Sequence, residues 1–187
     1  MAGQFAFLEV STVFASVERQ TMKACHRQRK TQCEGKTVMI TGEKNAEAKV
    51  EKTRIIGDIR KLFASYGPTF VQLADGERSD MNALLNFYSA PLRFIGPNFH
   101  MVMKDEEEIT GEEGIGGEIG RLRHAHFAGS TLDKCDIRVL NPQAALVDAL
   151  WLRRDEAGNL MERFGVIYLV ALTSAGWRIT SAVSIAA

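Results

Sequence analysis

Cysteine and proline are scarce in this sequence. It has three cysteines and four prolines among 187 residues. A sparse, odd set of cysteines does not form a disulfide framework, and we expect free thiols in a reducing compartment. Cys25, His26 and Cys33 offer three zinc ligands, but they lack the paired C-x2-C spacing that is typical of zinc sites. We therefore expect neither a metal nor any other cofactor.

Net charge and long apolar runs are also lacking. The 23 basic residues balance 23 acidic ones, so no overall field attracts nucleic acid or an anionic membrane. No apolar run approaches the roughly 20 residues that span a bilayer. Glu9 and Glu18 interrupt the first apolar stretch, which therefore does not resemble a signal peptide. We expect no nucleic-acid or membrane partner and, by default, a cytoplasmic location.

The composition that remains is that of a globular domain with an appendage. Hydrophobic residues make up 45% of the chain and charged residues 25%. The pattern changes near Thr53, because residues 1–53 alternate charges without a sustained apolar face. We predict a poorly ordered arm over residues 1–53 and a folded domain over residues 54–187.

Helices are predicted in the first half of this domain. Apolar residues recur at helical spacing over residues 55–66, until the Gly-Pro pair at 67–68 interrupts the pattern. Ser79 or Asp80 then caps a second helix, which Pro91 ends.

A third helical segment covers residues 105–127. Its apolar residues recur at helical spacing, but it contains five glycines, and each costs up to about 1 kcal/mol relative to alanine inside a helix. We expect a frayed or broken helix there.

The second half predicts strands. Short strands flank the turn at 96–98, and four longer ones follow, with hairpin turns at 155–158 and 173–176. Helices followed by a four-stranded antiparallel run indicate the α+β class. The longer strands are Lys134–Leu140, Ala144–Arg154, Met161–Leu172 and Trp177–Ala186.

Two strings carry a resemblance to a known family. "DMNALLNFYSAPLRFIGP", from Asp80, and "DALWLRRDEAGNLMERFGVIYLVALTSAGWRIT", from Asp148, resemble the nuclear transport factor two-like superfamily over about residues 55–187. That superfamily includes ketosteroid isomerases and the SnoaL-like polyketide cyclases. The resemblance implies a cone-shaped, curved antiparallel sheet that wraps the N-terminal helices and leaves an apolar pocket at its open end.

The best-known catalytic set of that superfamily is not matched here. Ketosteroid isomerase uses an Asp base and an oxyanion hole formed by a Tyr and a protonated Asp. The base position falls on Gly96, the Tyr position near Phe70 or Gln72, and the oxyanion Asp position on Tyr168. The resemblance therefore implies the fold and its pocket without the catalytic residues of ketosteroid isomerase.

The strand that carries Tyr168 is apolar on both faces. Phe164, Val166 and Tyr168 share one face, which we expect to line the pocket, and Ile167 and Leu169 share the other. The second face needs a cover, so we expect a homodimer whose interface also includes Ala149 and Trp151.

Asp148 is a carboxylate in an apolar stretch. A three-residue loop with Gly158 in the left-handed conformation places Asp148 opposite Val166 and Leu146 opposite Tyr168, so Asp148 and Tyr168 share a face. A four-residue loop brings Trp151 to that face instead. Asp148 is then either paired with an arginine, such as Arg93 or Arg163, or a ligand-facing acid or base.

Two functions follow from these patterns. The first is an acid–base isomerase, cyclase or dehydratase acting on a small apolar molecule, with Asp148 and Tyr168 as catalytic residues. Its predicted ligand-binding residues are Phe94, Trp151, Phe164 and Val166. The second is a non-catalytic dimeric binding or assembly module with a vestigial pocket.

Overall fold

The described part of the chain is a long helix followed by a six-stranded sheet with short helices between the strands. The computed structural model describes residues 40–185, with side chains from residue 46. The features discussed below lie in the compact unit that begins at Ala46. Most of the predicted arm, residues 1–39, lies outside the described residues.

Helix α1, Ile40–Asp75, presents one apolar stripe. The buried residues of the stripe are spaced three or four apart, so they lie on one face of the helix. They are Ile55, Ile59, Phe63, Tyr66, Phe70 and Leu73. The arm boundary predicted near Thr53 falls within α1, just before Ile55.

The Gly-Pro pair at 67–68, which we expected to interrupt the helical pattern, does not end the helix, because Pro68 lies inside α1. Proline inside a helix removes a hydrogen bond at a cost of about 3 kcal/mol or more. Tyr66 and Phe70 continue the buried stripe on either side of Pro68, and their packing offsets this cost. No helix among residues 40–185 is long and apolar enough to cross a membrane.

The second helix is shorter than predicted. Asp80 caps a 3-10 helix, Met81–Asn86, by accepting a hydrogen bond from the backbone of Asn82. Strand β1, Tyr88–Gly96, begins soon afterwards, so Pro91 lies in a strand and does not end a helix. Pairing of Tyr88 with Ile179 draws this segment into the sheet.

The glycine-rich segment forms two helices, as the prediction of a broken helix requires. Helix α2, Glu106–Thr110, is separated from α3, Ile115–His124, by a short connection. A β-carbon on Gly114 would collide with the carbonyl oxygen of Glu108, and one on Gly116 with that of Thr110. These glycines allow the backbone to pack against itself.

The remaining strands complete a curved sheet that does not close. They are β2 (Phe99–Met103), β3 (Phe127–Asn141), β4 (Ala144–Asp155), β5 (Leu160–Thr173) and β6 (Gly176–Ile185). Their order is β2-β1-β6-β5-β4-β3. The α+β class is confirmed, with one difference from the predicted antiparallel sheet: β1 and β6 are parallel.

The register of β4 and β5 differs from the prediction by one residue. The loop itself is as predicted, since Asp155 and Asn159 are hydrogen-bonded and Gly158 has a φ of 82°. A bulge follows, because Arg154 pairs with Leu160 whereas Arg153 pairs with Glu162, so Met161 has no partner. An unpaired residue moves every later side chain to the opposite face.

The predicted pairs of Asp148 with Val166 and of Leu146 with Tyr168 are therefore wrong. Asp148 pairs with Ile167, and Val147 pairs with Tyr168. Trp151 shares the face of Tyr168, as the alternative register proposed, although a bulge and not a longer loop causes the shift. Ala149 and Trp151 consequently do not accompany Ile167 and Leu169 on the outer face.

The core lies between the stripe of α1 and the inner face of the sheet. The ring centroids of Phe63 and Tyr168 are 5.2 Å apart, and those of Tyr66 and Trp151 are 5.7 Å apart. Such aromatic pairs stabilise a core beyond their area burial. The α1 stripe and strands β4 and β5 therefore form one packed unit.

Replacement of Ile59 by alanine tests this packing. Ile59 has no exposed area, so we expect Ile59→Ala to lower the free energy of unfolding by about 2–5 kcal/mol in urea denaturation. Val50→Ala is the control, because Val50 is 70% exposed and should change stability by less than about 0.5 kcal/mol. Equal effects of the two variants would contradict the packing.

Candidate functional site

A cavity lies beneath the sheet, next to α1 and α3. Its volume is about 50 Å³, and its walls are mainly aromatic and aliphatic. Phe94, Glu118 and Phe164 are half-buried and mark the side where it meets solvent. The lining residues are Tyr66, Gly67, Phe70, Tyr88, Leu92, Phe94, Ile115, Glu118, Ser130, Trp151, Arg153, Phe164, Val166, Tyr168 and Ala182.

Three buried phenols and one indole form a polar cluster in this apolar wall. The hydroxyl oxygens of Tyr66 and Tyr88 are 2.7 Å apart, which is a short hydrogen bond. Trp151 Nε1 donates to the hydroxyl of Tyr168 over 3.1 Å. Helix α1 and strands β1, β4 and β5 each contribute one of the four side chains.

Burial keeps the three phenols neutral. Burial raises the pKa of Tyr66, and it raises the pKa of Tyr88 and Tyr168 well above the usual value. The neighbouring Tyr66 raises the pKa of the other two further. Each phenol is therefore protonated near neutral pH and available as a hydrogen-bond donor.

Arg153 lines the same cavity and is buried. Its Nη1 donates to Glu118 over 2.8 Å and to Glu162 over 2.9 Å. Its guanidinium carbon lies 4.5 Å from the ring centroid of Phe164 and 5.7 Å from that of Phe70. Arg153 Nε is a buried donor without a hydrogen-bond partner among the described residues.

Glu118 holds α3 against this part of the cavity. Its carboxylate accepts two hydrogen bonds from Arg121, each of 2.8 Å, in addition to the one from Arg153. Burial raises the pKa of Glu118, but the hydrogen bond from Arg121 and the charge of Arg153 outweigh it, and the net shift is downward. Glu118 is therefore ionised and a weak base near neutral pH.

Five of the six predicted site residues lie together. Phe94, Trp151, Phe164, Val166 and Tyr168 all line the cavity. The proximity of the four on β4 and β5 follows from strand parity and from the observed register, and Phe94 reaches the same side through the pairing of β1 with β6.

The sixth, Asp148, is not at the cavity. It lies on the outer face of β4, where its side chain is 43% exposed and its carboxylate contacts Lys134 Nζ at 2.6 Å. The predicted proximity of Asp148 to Tyr168 is wrong, because the bulge at Met161 moves Asp148 to the other face. Its cationic partner is a lysine and neither of the arginines that the sequence suggested.

Sequence analysis missed the cavity residues Tyr66, Tyr88, Glu118 and Arg153. Tyr66 belongs to the apolar stripe, so its helix position was predicted but its polar role was not. Arg153 has the same strand parity as Trp151, which identifies it as inward-facing once the register is known. Tyr88 was assigned to a helix.

The described residues contain no group of three or more His, Cys, Asp or Glu side chains that could hold a metal ion. The weak zinc candidate of Cys25, His26 and Cys33 lies outside the described residues. Cys135 is half-buried in β3, and burial raises the pKa of its thiol.

Comparison with solved structures identifies the class of fold. An NTF2-like protein with a cystatin-like fold from Novosphingobium aromaticivorans has a TM-score of 0.55 and 20% identity, with 80% of this chain and 90% of that one aligned. A protein of unknown function from Mycobacterium tuberculosis has a TM-score of 0.50 and 13% identity, with 72% and 73% aligned.

A third structure, an NTF2-like superfamily protein from Salmonella enterica, has a TM-score of 0.47 and 20% identity, with 74% of this chain and 92% of that one aligned. At these identities the likeness concerns the fold alone. A search of curated proteins finds no match.

The family itself is defined by sequence. Residues 57–187 match the family described as NTF2-like protein (DUF6841). This match covers more than half of the chain, and the chain therefore belongs to that family. The resemblance to the nuclear transport factor two-like superfamily is confirmed.

Acid unfolding tests the position of Glu118. Because its pKa is lowered in the folded protein, the stabilisation is present above the unfolded pKa and is lost as the pH falls through the folded pKa. The free energy of unfolding should therefore fall as the pH is lowered, in part because Glu118 becomes protonated. We expect Glu118→Gln to show a smaller fall, measured by urea denaturation between about pH 7 and about pH 3.

Glu113→Gln is the matched control, because Glu113 is an exposed glutamate just before α3. It should keep the acid sensitivity of the unmodified protein. If Glu118→Gln keeps that sensitivity as well, Glu118 is not held as described.

Proposed function

We propose that this protein binds a small, mostly apolar molecule in the cavity and donates hydrogen bonds from the buried phenols to an oxygen of that molecule. The proposal rests on the hydrogen-bond donors of the phenol cluster that have no acceptor within it. An apolar wall with a few converging polar groups is the usual form of a small-molecule site.

The hydrogen bonds within the cluster leave some of its polar hydrogens without an acceptor. Three hydroxyls and one indole carry four polar hydrogens, and the hydrogen bonds Tyr66–Tyr88 and Trp151–Tyr168 use two of them. Even if Tyr168 turned its hydroxyl to Tyr66, one phenolic hydrogen would have no acceptor in the cluster. Buried donors are nearly always paired, so this surplus favours an acceptor supplied by a ligand.

The size of the cavity limits the ligand. Its volume of about 50 Å³ is well below the roughly 300–1,000 Å³ of sites for drug-sized ligands. We therefore propose a ligand between a short acyl chain and a single ring, seated partly at the open side near Phe94 and Phe164.

The charges favour binding over acid–base chemistry. A general base must reach the ligand and have a pKa near the working pH. Glu118 is ionised with a lowered pKa and is held by two arginines, and Asp148 lies on the opposite face of the sheet. The phenols can stabilise negative charge on an oxygen, but they have no matching base. The binding module is therefore the preferred function.

Acetophenone and ethylbenzene form a probe pair that tests the proposal, because they differ in one carbonyl oxygen. We expect acetophenone to bind more tightly by calorimetry. Tyr168→Phe should weaken the binding of acetophenone by about 0.5–1.5 kcal/mol and leave the binding of ethylbenzene unchanged, with the fold retained. Equal affinity for the two probes, unaffected by Tyr168→Phe, would refute the proposed hydrogen bond.

Asp148→Asn is the companion variant, since Asp148 carries the acid–base hypothesis but lies outside the cavity. We expect it to bind acetophenone like the unmodified protein. Native mass spectrometry of the purified chain provides a further check, because a co-purified small molecule would identify the natural ligand directly.

We also propose that the outer face of β4 and β5 binds a second copy of the chain. Leu146, Leu150, Ile167 and Leu169 lie on this face and are only half-buried in the single chain. An exposed apolar face of this kind favours a protein partner, although the ion pair of Asp148 with Lys134 lies among these residues. A stable interface of this type buries more than about 1,000 Å² in total.

Leu169→Lys tests this assembly. We expect the unmodified protein to sediment as a dimer at micromolar concentration and Leu169→Lys to sediment as a monomer, because a lysine there places a charge in the interface. Val50→Lys is the control, since Val50 is exposed on α1 and should leave the dimer intact. An unmodified protein that sediments as a monomer would refute the dimer.

A further inference from the structure

We infer that the ligand carries a carboxylate, which the free edge of Arg153 binds through two parallel hydrogen bonds. This inference rests on the proposed function, because it concerns the same cavity. It goes beyond that function by assigning the ligand's charged group and the residue that recognises it.

The hydrogen bonds of Arg153 leave one side of its guanidinium group unpaired. Both bonds to carboxylates, from Glu118 and Glu162, are made by Nη1. Nε is buried and has no partner among the described residues. The edge formed by Nε and Nη2 is thus the unused side, in a side chain that lines the cavity.

This edge is the one that arginine uses for paired contacts with a carboxylate. In this chain Arg121 binds Glu118 through Nε and Nη2, each over 2.8 Å. Arg54 binds Glu51 in the same way, over 3.0 Å and 2.7 Å. The planar fork of a guanidinium matches the two oxygens of a carboxylate, which makes these contacts strong and specific.

Arg153 is also held in place before any ligand arrives. The rings of Phe164 and Phe70 lie near its guanidinium group, and the two glutamates fix Nη1. A donor that is already oriented loses little freedom on binding. A buried Nε–H without a partner costs free energy. An incoming acceptor would supply the hydrogen bond that Nε–H lacks in the empty site.

The net charge of the surroundings is zero. Arg121 and Arg153 balance Glu118 and Glu162, and both glutamates occupy the Nη1 side of Arg153. Recognition therefore depends on the shape of the fork and on the neutral phenol donors, and not on a general positive field. A neutral carbonyl group can use one of the two donors, whereas a carboxylate uses both.

Benzoate and benzamide test the inference, with butyrate and butyramide as a smaller pair. The members of each pair have nearly the same shape and differ in charge. Near neutral pH we expect calorimetry with the full chain to show each carboxylate binding about tenfold tighter than its amide. Amides that bind as tightly as the carboxylates would overturn the inference.

Arg153→Lys keeps the positive charge and its reach to the two glutamates but removes the fork. We expect it to abolish the preference for carboxylate over amide. Arg121→Lys is the matched control, because Arg121 also binds Glu118 but does not line the cavity, and it should keep the preference. Loss of the preference in both variants, or in neither, would contradict the assignment to Arg153.

A crystal structure of the unmodified protein with benzoate keeps the inference testable if Arg153→Lys does not fold. We expect the carboxylate oxygens about 2.7–2.9 Å from Nε and Nη2. A carboxylate seated elsewhere would overturn the inference. Binding of acetophenone without any preference for benzoate would leave the proposed function standing and reject the carboxylate, whereas no binding of any probe would reject both.

Discussion

The unpaired residue Met161 determines which side chains face the interior of this protein. A strand has two faces, and one extra residue exchanges them for everything beyond it. The exchange brings Trp151 and Arg153 inward, next to Tyr168, and turns Asp148 outward to Lys134. The contributions of β4 to the cavity, the hydrogen bond between Trp151 and Tyr168, and the position of Asp148 on the outer face all follow from this one bulge.

The cavity that results is rich in donors and poor in free bases. Its phenols are kept protonated by burial, and its one carboxylate, on Glu118, is neutralised by two arginines. Such a wall can donate hydrogen bonds to an oxygen of a ligand, but it has no free base to accept a proton. The same fold can thus support binding without the acid–base pair that an isomerase requires.

Local patterns predicted most of the fold, and long-range pairing accounts for what they missed. The apolar stripe of α1, the cap at Asp80, the broken helix and the four long strands each have a signal in neighbouring residues. The parallel pairing of β1 with β6 joins distant segments and has none. The bulge has none either, because nothing in the residues around Met161 distinguishes a paired position from an unpaired one. Phe164, Val166 and Tyr168 were nevertheless predicted at the cavity, since alternation along β5 does not depend on β4.

The connection between α2 and α3 has a consequence for how this chain can change during evolution. Gly114 in this connection and Gly116 in the first turn of α3 lie where any side chain would collide with a carbonyl oxygen. The segment is therefore a spacer of fixed dimensions, and it sets how closely α3 approaches the sheet. A substitution there would act at a distance, because it would displace Glu118 from Arg153 without altering a single residue of the cavity wall. Sequence change at these two buried glycines should be as restricted as in the apolar core.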